Sequence, residues 1–397
     1  MRIALLSSFF YPHVGGTEKY VEDLATELAR RGHTVAVFTN TPANGDASAI
    51  RKGFRIVRLP TLWGRYQPLL SLIPYRLLSG FDVVHSHLPP THFAQAVTRR
   101  LGRVPHIVTY HCDLEINENF WIVKVPHWVS GIVNRYSAWA RARLLGGSDR
   151  IIATSASYAK DSPVLSRFEA KIIPIGVDVD KFLAAAEEVA RGRELRRRDR
   201  LLYVGRLAPS KGIDHLIGAL AFVRAHGLDV SLQVVGGGEL LPRLKRTARS
   251  LGVEEAVSFS GELPFEALVH AYLEATALVL PSVVRIEAFG IVQLEALVLG
   301  TPVIASDLSG VREVVERSGG GYLFEHGNWR ALAETITHAF SNREETRRRA
   351  EAGKAYVRAN YTWRSVTDEI ERLYHSAIAY KGVVARPRSS LLRVFES

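Results

Sequence analysis

The chain has 397 residues, 47% hydrophobic and 23% charged, an ordinary globular composition that excludes disordered, collagen-like and coiled-coil classes and, at roughly 150 residues per domain, leaves room for two domains. Lys and Arg outnumber Asp and Glu by 51 to 40, a net charge of +11, which favours an anionic ligand or surface without choosing among phosphate, nucleic acid and acidic lipid. A lone cysteine, Cys112, excludes a disulfide-stapled scaffold and a Cys-rich zinc site and fits a reducing interior.

The apolar run from Ile3 to Phe10 is too short for a signal peptide and turns at Tyr11-Pro12-His13. The longest apolar stretches are interrupted by Pro68, Pro74 and Arg76, or by Gly300 and Pro302, so none spans a membrane and any membrane contact is peripheral. The expected location is cytoplasmic, at most against the inner face of a membrane.

In chain order, Arg2 to Ser8 reads as a buried strand, Gly15-Gly16 as a tight turn, and Thr17 to Arg31 as a helix with Tyr20, Val21, Leu24 and Leu28 on one face. Strands follow at Thr34 to Thr39, Arg55 to Leu59, Val83 to Ser86, Ile107 to Tyr110, Ile151 to Ser155 and Lys171 to Pro174, with helical patterns at intervals. From Gly176 to Arg200 the apolar periodicity fades and charge rises, which predicts a linker. The pattern then restarts with a strand from Arg200 to Gly205, a helix from Asp214 to His226 and a strand from Ser231 to Val235. Further strands fit Val257 to Ser260, Ala277 to Pro281, Pro302 to Ser306 and Gly321 to Phe324. Strands alternating with helices imply an α/β fold of two Rossmann-like, doubly wound parallel-sheet domains facing across a cleft. The expected division is 1–176 on the acceptor side, a linker over 177–199, a nucleotide-binding domain over 200–370, and a helix and tail over 371–397. The last helical stretch, Trp363 to Tyr380, is expected on the second domain or back on the first.

Ligands of such sheets bind beyond the carboxyl ends of strands. The Gly15-Gly16 turn lacks the spaced glycines and ribose-binding acid of a dinucleotide site and the Gly-Lys-Ser/Thr of a Walker loop. It reads either as a close approach of backbone amides to a phosphate or as a plain turn. Arg206 and Lys211 flank a strand end just before a helix, which suits a diphosphate or makes a pair of solvated charges. Glu287 precedes Gly290 and Ile291 in a strand-to-helix loop. Glu295 lies in an apolar helix beside Leu294, Ala296, Leu297 and Leu299, where a carboxylate needs a partner: a vicinal diol, or a structural Arg.

These residues resemble the GT-B glycosyltransferases of family 4 over nearly the whole chain. The Glu-x7-Glu element of that family matches Glu287 and Glu295 with Phe289, Gly290 and Ile291 between them. Its Gly-Arg-Leu-x3-Lys-Gly loop matches Gly205 to Gly212, its Gly-Gly turn Gly15-Gly16, and its histidine after the fifth strand His111. The resemblance implies a retaining transferase using a nucleotide-diphosphate sugar. Arg206 and Lys211 would hold the diphosphate with the amides of Gly15, Gly16, Gly290 and Ile291. Glu295 would bind the ribose, Glu287 with Phe289 the donor sugar, and Leu263 would lie along the base. His111 would face the reacting carbon, with Glu18, His87 and Cys112 on the acceptor side. Ile286 and Cys112 depart from the family pattern, where small polar residues are frequent. The implied donor is GDP- or UDP-linked, with mannose or glucose as the sugar, a glycan or lipid-linked saccharide as acceptor, no metal or other cofactor, and no nucleic-acid partner.

Asp178-Val-Asp180 has the form of a metal-binding pair, and His85, His87 and His92 cluster after a strand, but neither supplies the ligand set of a metal site. Trp121, Val125, Trp128, Ile132 and Trp139, with Lys124, Arg135, Arg141 and Arg143, recur at helical spacing interrupted by Pro126. They form either a helix packed into the first domain, the expected outcome, or an interfacial helix on an anionic membrane, with Leu69 to Leu78 as a second patch. Arg191 to Arg200 and Arg386 onward read as solvated linker and tail. Two other functions share these features: a sugar-nucleotide epimerase or hydrolase on the same fold, and a basic polyanion-binding module.

Overall fold

Short aliphatic runs alternating with amphipathic stretches form strands and helices in a computed structural model, which describes residues 1–11, 15–41, 48–59, 61–63, 68–71, 75–89, 101–114, 127–191 and 199–384. The first half contains β1 (Arg2–Leu6), α1 (Gly16–Arg30), β2 (Thr34–Asn40), β3 (Ser48–Arg51), β4 (Phe54–Leu59), β5 (Thr61–Trp63), β6 (Pro68–Ser71), α2 (Tyr75–Leu78), β7 (Val83–Leu88), β8 (His106–Tyr110), α3 (His127–Leu145), β9 (Arg150–Ala153), α4 (Ala156–Asp161) and β10 (Lys171–Ile172). The second contains α5 (Val179–Arg191), β11 (Arg200–Val204), α6 (Ile213–Ala225), β12 (Ser231–Val235), α7 (Leu241–Ser250), β13 (Val257–Gly261), α8 (Phe265–Glu274), β14 (Ala277–Leu280), α9 (Ile291–Val298), β15 (Val303–Ser306), α10 (Val311–Ser318), β16 (Gly321–Phe324), α11 (Trp329–Ser341), α12 (Arg343–Asn360) and α13 (Trp363–Val384).

The first sheet runs β10-β9-β8-β7-β1-β2-β4-β3 and is parallel except at the β3/β4 edge. The second runs β13-β12-β11-β14-β15-β16 and is parallel throughout. In each sheet the chain leaves the first strand on one side and later returns on its other side, so that β1 lies between β2 and β7, and β11 between β12 and β14. Those reversals open a crevice at the strands' carboxyl ends, which is where both Gly15-Gly16 and the Arg206 loop emerge. β1, β7, β8, β14 and β15 are buried along almost their whole length; burial on both faces makes β1, β14 and β15 near-continuous apolar runs in the sequence, while β7 and β8 carry the buried polar side chains His85, Ser86, His87, His106 and Thr109. The antiparallel edge strand β3 and the β5/β6 hairpin lack that signal and were not foreseen.

One expectation changes, and one alternative left open is decided. The segment expected as a linker over 177–199 holds α5, whose Phe182, Ala185, Ala186 and Val189 recur at helical spacing and pack on the second domain, Phe182 against the Phe265 ring at 5.0 Å. Residues 192–198 of the arginine run and the tail from 385 lie outside the described residues. Of the two places expected for the last helix, α13 takes the first domain, where the Tyr374 hydroxyl meets His85 Nδ1 at 2.7 Å and Trp363 packs edge-on to Tyr20 at 5.2 Å. Arg31 reaches Asp368 at 2.5 Å and Glu371 at 2.6 Å on the same helix. Apolar contact decides this path, since Val366, Ile370, Tyr374 and Ala377 are all buried in one cluster with β1, α1 and α9, at about 1.5–3 kcal/mol per large side chain buried. The chain thus crosses between domains twice, and the crossings touch: the Val177 N–H donates to the Tyr361 carbonyl at 2.7 Å.

Candidate active site

Two glycines shape the second domain's half of the crevice. Gly212, with φ 65°, caps α6, and a Cβ there would overlap the Pro281 carbonyl oxygen. Gly290, with φ 75°, caps α9, and a Cβ there would lie 2.5 Å from Leu280. Only glycine permits both the left-handed backbone and the close approach. The Lys211 loop therefore lies flat on the 281–287 loop, joined by the Val283 N–H to the Ser210 carbonyl at 3.0 Å. This approach brings Lys211 Nζ into an ion pair with Glu287 Oε2, to which Ser282 Oγ also donates at 3.4 Å. Arg206 is exposed at the end of β11, its carbonyl held by the Tyr203 hydroxyl at 2.9 Å.

Glu295 is buried in α9 and accepts a hydrogen bond from the Tyr272 hydroxyl at 2.8 Å. Burial raises its carboxyl pKa, opposed chiefly by the positive charge of Lys19 and by the Tyr272 bond. The structural arginine considered as its partner is thus replaced by a tyrosine and by a lysine of the other domain. Phe289 is buried in the core shared by both domains. Leu263 is partly buried after β13 and lines a cavity of about 480 Å³ with Val189, Arg200 and His270.

The first domain meets this surface at two points. Gly15 caps α1 without a side-chain hydrogen bond, and a Cβ at Gly16 would lie 3.7 Å from Ile291 Cδ1. The starts of α1 and α9 are therefore adjacent, while α6 begins beside the loop leading into α9. None of the three helices is capped by a side chain, so their N–H groups and dipoles favour an anion. The half-buried Glu18 folds its carboxylate back over Gly15.

The second point is the loop after β8. The charges of Glu287 and Lys211 both act on the Cys112 thiol, whose pKa burial pushes up to about 12, and Ala288 joins the apolar cluster beside Cys112. The loop is rigid: Tyr110 and Tyr158 donate to opposite oxygens of Asp113 at 2.5 and 3.0 Å. His111 is buried, and desolvation lowers its pKa to about 3. His87, expected to line the acceptor side, is instead buried behind His111, with Nδ1 3.2 Å from His111 Nε2. β7 is buried along its whole length, and His87 lies two residues from His85 on the same face of the strand.

The domains are also joined away from the crevice. Glu313 of α10 accepts from Ser155 Oγ and from the Ser157 amide at 3.1 Å, while Ser309 donates to Asp161 at 2.5 Å. Asp178 caps α5 by accepting from the Lys181 amide at 3.1 Å, and His85 bonds Tyr374 and Thr109; His92 lies outside the described residues. Among the described residues no three His, Cys, Asp or Glu side chains converge to hold a metal ion. Sequence reading missed Tyr272, Tyr20, Trp363, Ser282 and Lys19. Of these only Lys19 had a signal, a cation one turn beyond the glycine pair.

The helix expected in the core around Trp128 is α3, and its aromatic face is exposed. Its C-terminal half packs inward, where Arg141 is buried and donates to the Leu114 carbonyl at 2.8 Å. Trp121, Lys124, Val125 and Pro126, and the side chains of 69–76, lie outside the described residues. No described helix is long and apolar enough to cross a membrane.

Two family models match the chain, Glycosyltransferase Family 4 over 14–181 and Glycosyl transferases group 1 over 186–356, together most of its length. The chain is 28% identical to the GDP-mannose-dependent alpha-(1-6)-phosphatidylinositol monomannoside mannosyltransferase of Mycolicibacterium smegmatis over 379 residues, 91% of this chain and 95% of that one. It is also 28% identical to the glycogen synthase of Mycobacterium tuberculosis over 408 residues, 95% of each. The fold superposes on sucrose-phosphate synthase from Thermosynechococcus elongatus with a TM-score of 0.75 at 23% identity, covering 96% of this chain and 99% of the other.

Proposed function

The chain belongs to the family 4 glycosyltransferases of GT-B fold, and on that premise we propose that it moves a hexose, mannose before glucose, from a nucleoside-diphosphate donor to a glycan or lipid-linked acceptor, with retention and without a metal ion. The observation that carries this reading is that Lys211 and three helix starts without side-chain caps lie at the switch points, with Arg206 exposed at the end of β11. As the bond from the sugar carbon to the phosphate oxygen breaks, charge grows on the diphosphate, and fixed cations and amides stabilise it. The acceptor oxygen bonds the same carbon on the same face and gives its proton to the departing phosphate oxygen. Glu287 and His111 hold the sugar from opposite domains, and Glu295 holds the ribose. A GDP-mannose-dependent relative favours GDP-mannose as donor, while the glycogen synthase likeness keeps a glucose donor in view. The test is a thermal-shift series with GDP, UDP, ADP and their sugar conjugates, with and without chelator. Stabilisation greatest with GDP-mannose and indifferent to chelator is expected; transfer abolished by chelator overturns the metal-free reading.

The acceptor side fits an anionic bilayer surface. Trp128, Ile132, Tyr136 and Trp139 form one face of α3 with exposures of 71, 61, 64 and 54%. Arg135 and Arg143 flank them, and no acidic residue occurs from 119 to 148, a charge pattern complementary to acidic headgroups with aromatics at interfacial depth. Arg141 ties this helix to the loop carrying His111, so a lipid-borne acceptor would arrive beside the site. Co-flotation with phosphatidylglycerol vesicles, lost in the Trp128→Glu/Trp139→Glu double variant, is the expected result; equal binding to phosphatidylcholine alone would contradict it.

A further inference from the structure

His87 is buried behind His111, the histidine expected to face the donor sugar, and within hydrogen-bond reach of it. The His87 and His111 rings lie nearly parallel, 25° apart, with Nδ1 of the first 3.2 Å from Nε2 of the second. Tyr20 packs its ring on both, at 5.4 and 4.8 Å. On its other side His87 stacks on His85 at 4.4 Å, and His85 is itself tied to Tyr374 and Thr109. The pair has no freedom to rotate away. Burial holds both imidazoles neutral at physiological pH, so each carries one proton and only one can donate across the gap.

The direction follows from a third atom. His87 Nε2 is buried without a hydrogen-bond partner. Were His111 the donor, His87 would carry its proton on Nε2 and bury an unpaired N–H. With His87 as donor, Nε2 keeps only a lone pair, and orphaned acceptors are tolerated more often than orphaned donors. Resting on the reading that His111 faces the donor sugar, we propose that His87 is a positioning residue whose Nδ1–H fixes the tautomer of His111, leaving the His111 proton on Nδ1 so that the ring meets the substrate as a hydrogen-bond donor. His111 Nδ1 has no hydrogen bond to another described residue, which leaves it available for a sugar or acceptor oxygen.

The test combines nitrogen-15 NMR of histidine-labelled full-length protein with kinetics of His87→Leu and His87→Asn. In the unsubstituted protein His111 is expected as the single Nδ1–H tautomer, and in His87→Leu as a mixture. His87→Leu should lose about tenfold in kcat, the worth of one buried hydrogen bond, with the donor KM within twofold. His87→Asn, whose amide N–H stands near the lost Nδ1–H, should recover most of that loss. If His87→Leu does not fold, the tautomer in the unsubstituted protein and the Asn variant decide. An Nε2–H tautomer on His111, a wild-type kcat in His87→Leu, or an Asn variant no better than the Leu variant would overturn the proposal. Full transfer by His111→Ala would instead refute the placement of His111, whatever its tautomer.

Discussion

Lys211 and Glu287 pair directly across two loops of the second domain, so the proposed diphosphate would compete with a carboxylate for one ammonium group. Removing the carboxylate leaves the cation free for phosphate. Glu287→Ala should therefore lower kcat by about 10² or more, the usual cost of losing one electrostatic contact at a reacting centre, while nucleoside-diphosphate affinity holds or tightens. Glu295→Ala should do the reverse, weakening nucleotide binding most. Isothermal titration alongside initial rates separates the two, and a Glu287→Ala enzyme with full turnover would remove that residue from the proposed chemistry. Glu295 was legible in sequence because a charge amid Leu294, Ala296 and Leu297 is anomalous, and Glu287 by its place in the strand-to-helix loop and by the family's Glu-x7-Glu element. Tyr272 was not, since an aromatic in an apolar helix looks like any core residue, and only folding sets its hydroxyl 2.8 Å from Glu295.

Strands and helices were legible to the extent that burial imposed a pattern on them. Strands covered on both faces were plain, whereas the edge strand β3 and the polar-faced helix α5 were not. Helix α3 shows the converse limit: its stripe of aromatics has the same period whether it meets a core or solvent, and the structure leaves it exposed. At this scale the strictest requirement falls on the turn into α6. Gly212→Ala must place a Cβ against the Pro281 carbonyl in a left-handed conformation, and a backbone oxygen cannot swing aside as a side chain would. The expected cost is about 2 kcal/mol or more in urea unfolding, accompanied by weaker nucleotide binding because the Lys211 loop lifts from the 281–287 loop. Unchanged stability would show that this turn has another conformation.

The whole molecule behaves as two sheets sharing one core, since the cluster that contains β1 and α1 also contains α9 and α13. Four histidines in that framework, His85, His87, His106 and His111, are held neutral by burial, His85 and His111 down to about pH 3 and His106 to about pH 4. In the unfolded chain they take up protons below their ordinary value of 6.5. Between those limits the unfolded state binds more protons, so their contribution is complete above about pH 6.5 and is lost as the pH falls toward 3. The raised carboxyl of Glu295 acts in the opposite sense, one group against four. The melting temperature should therefore fall between pH 7 and 5, where most carboxylates remain ionised, with a shallower slope in His106→Gln; a flat profile would mean that these rings titrate in the folded molecule.

Sequence alone was enough for the two α/β halves, for the family and for the strand ends proposed to carry chemistry, because parallel sheets buried on both faces and glycine turns before helices leave local patterns. The tertiary structure alone decided that α13 returns to the first domain, that His87 stands behind His111, that Lys19 and Tyr272 attend Glu295, and that the aromatic face of α3 meets solvent. Each of these depends on which surfaces meet between segments distant in the chain, and periodicity records that a face is apolar without recording what lies against it.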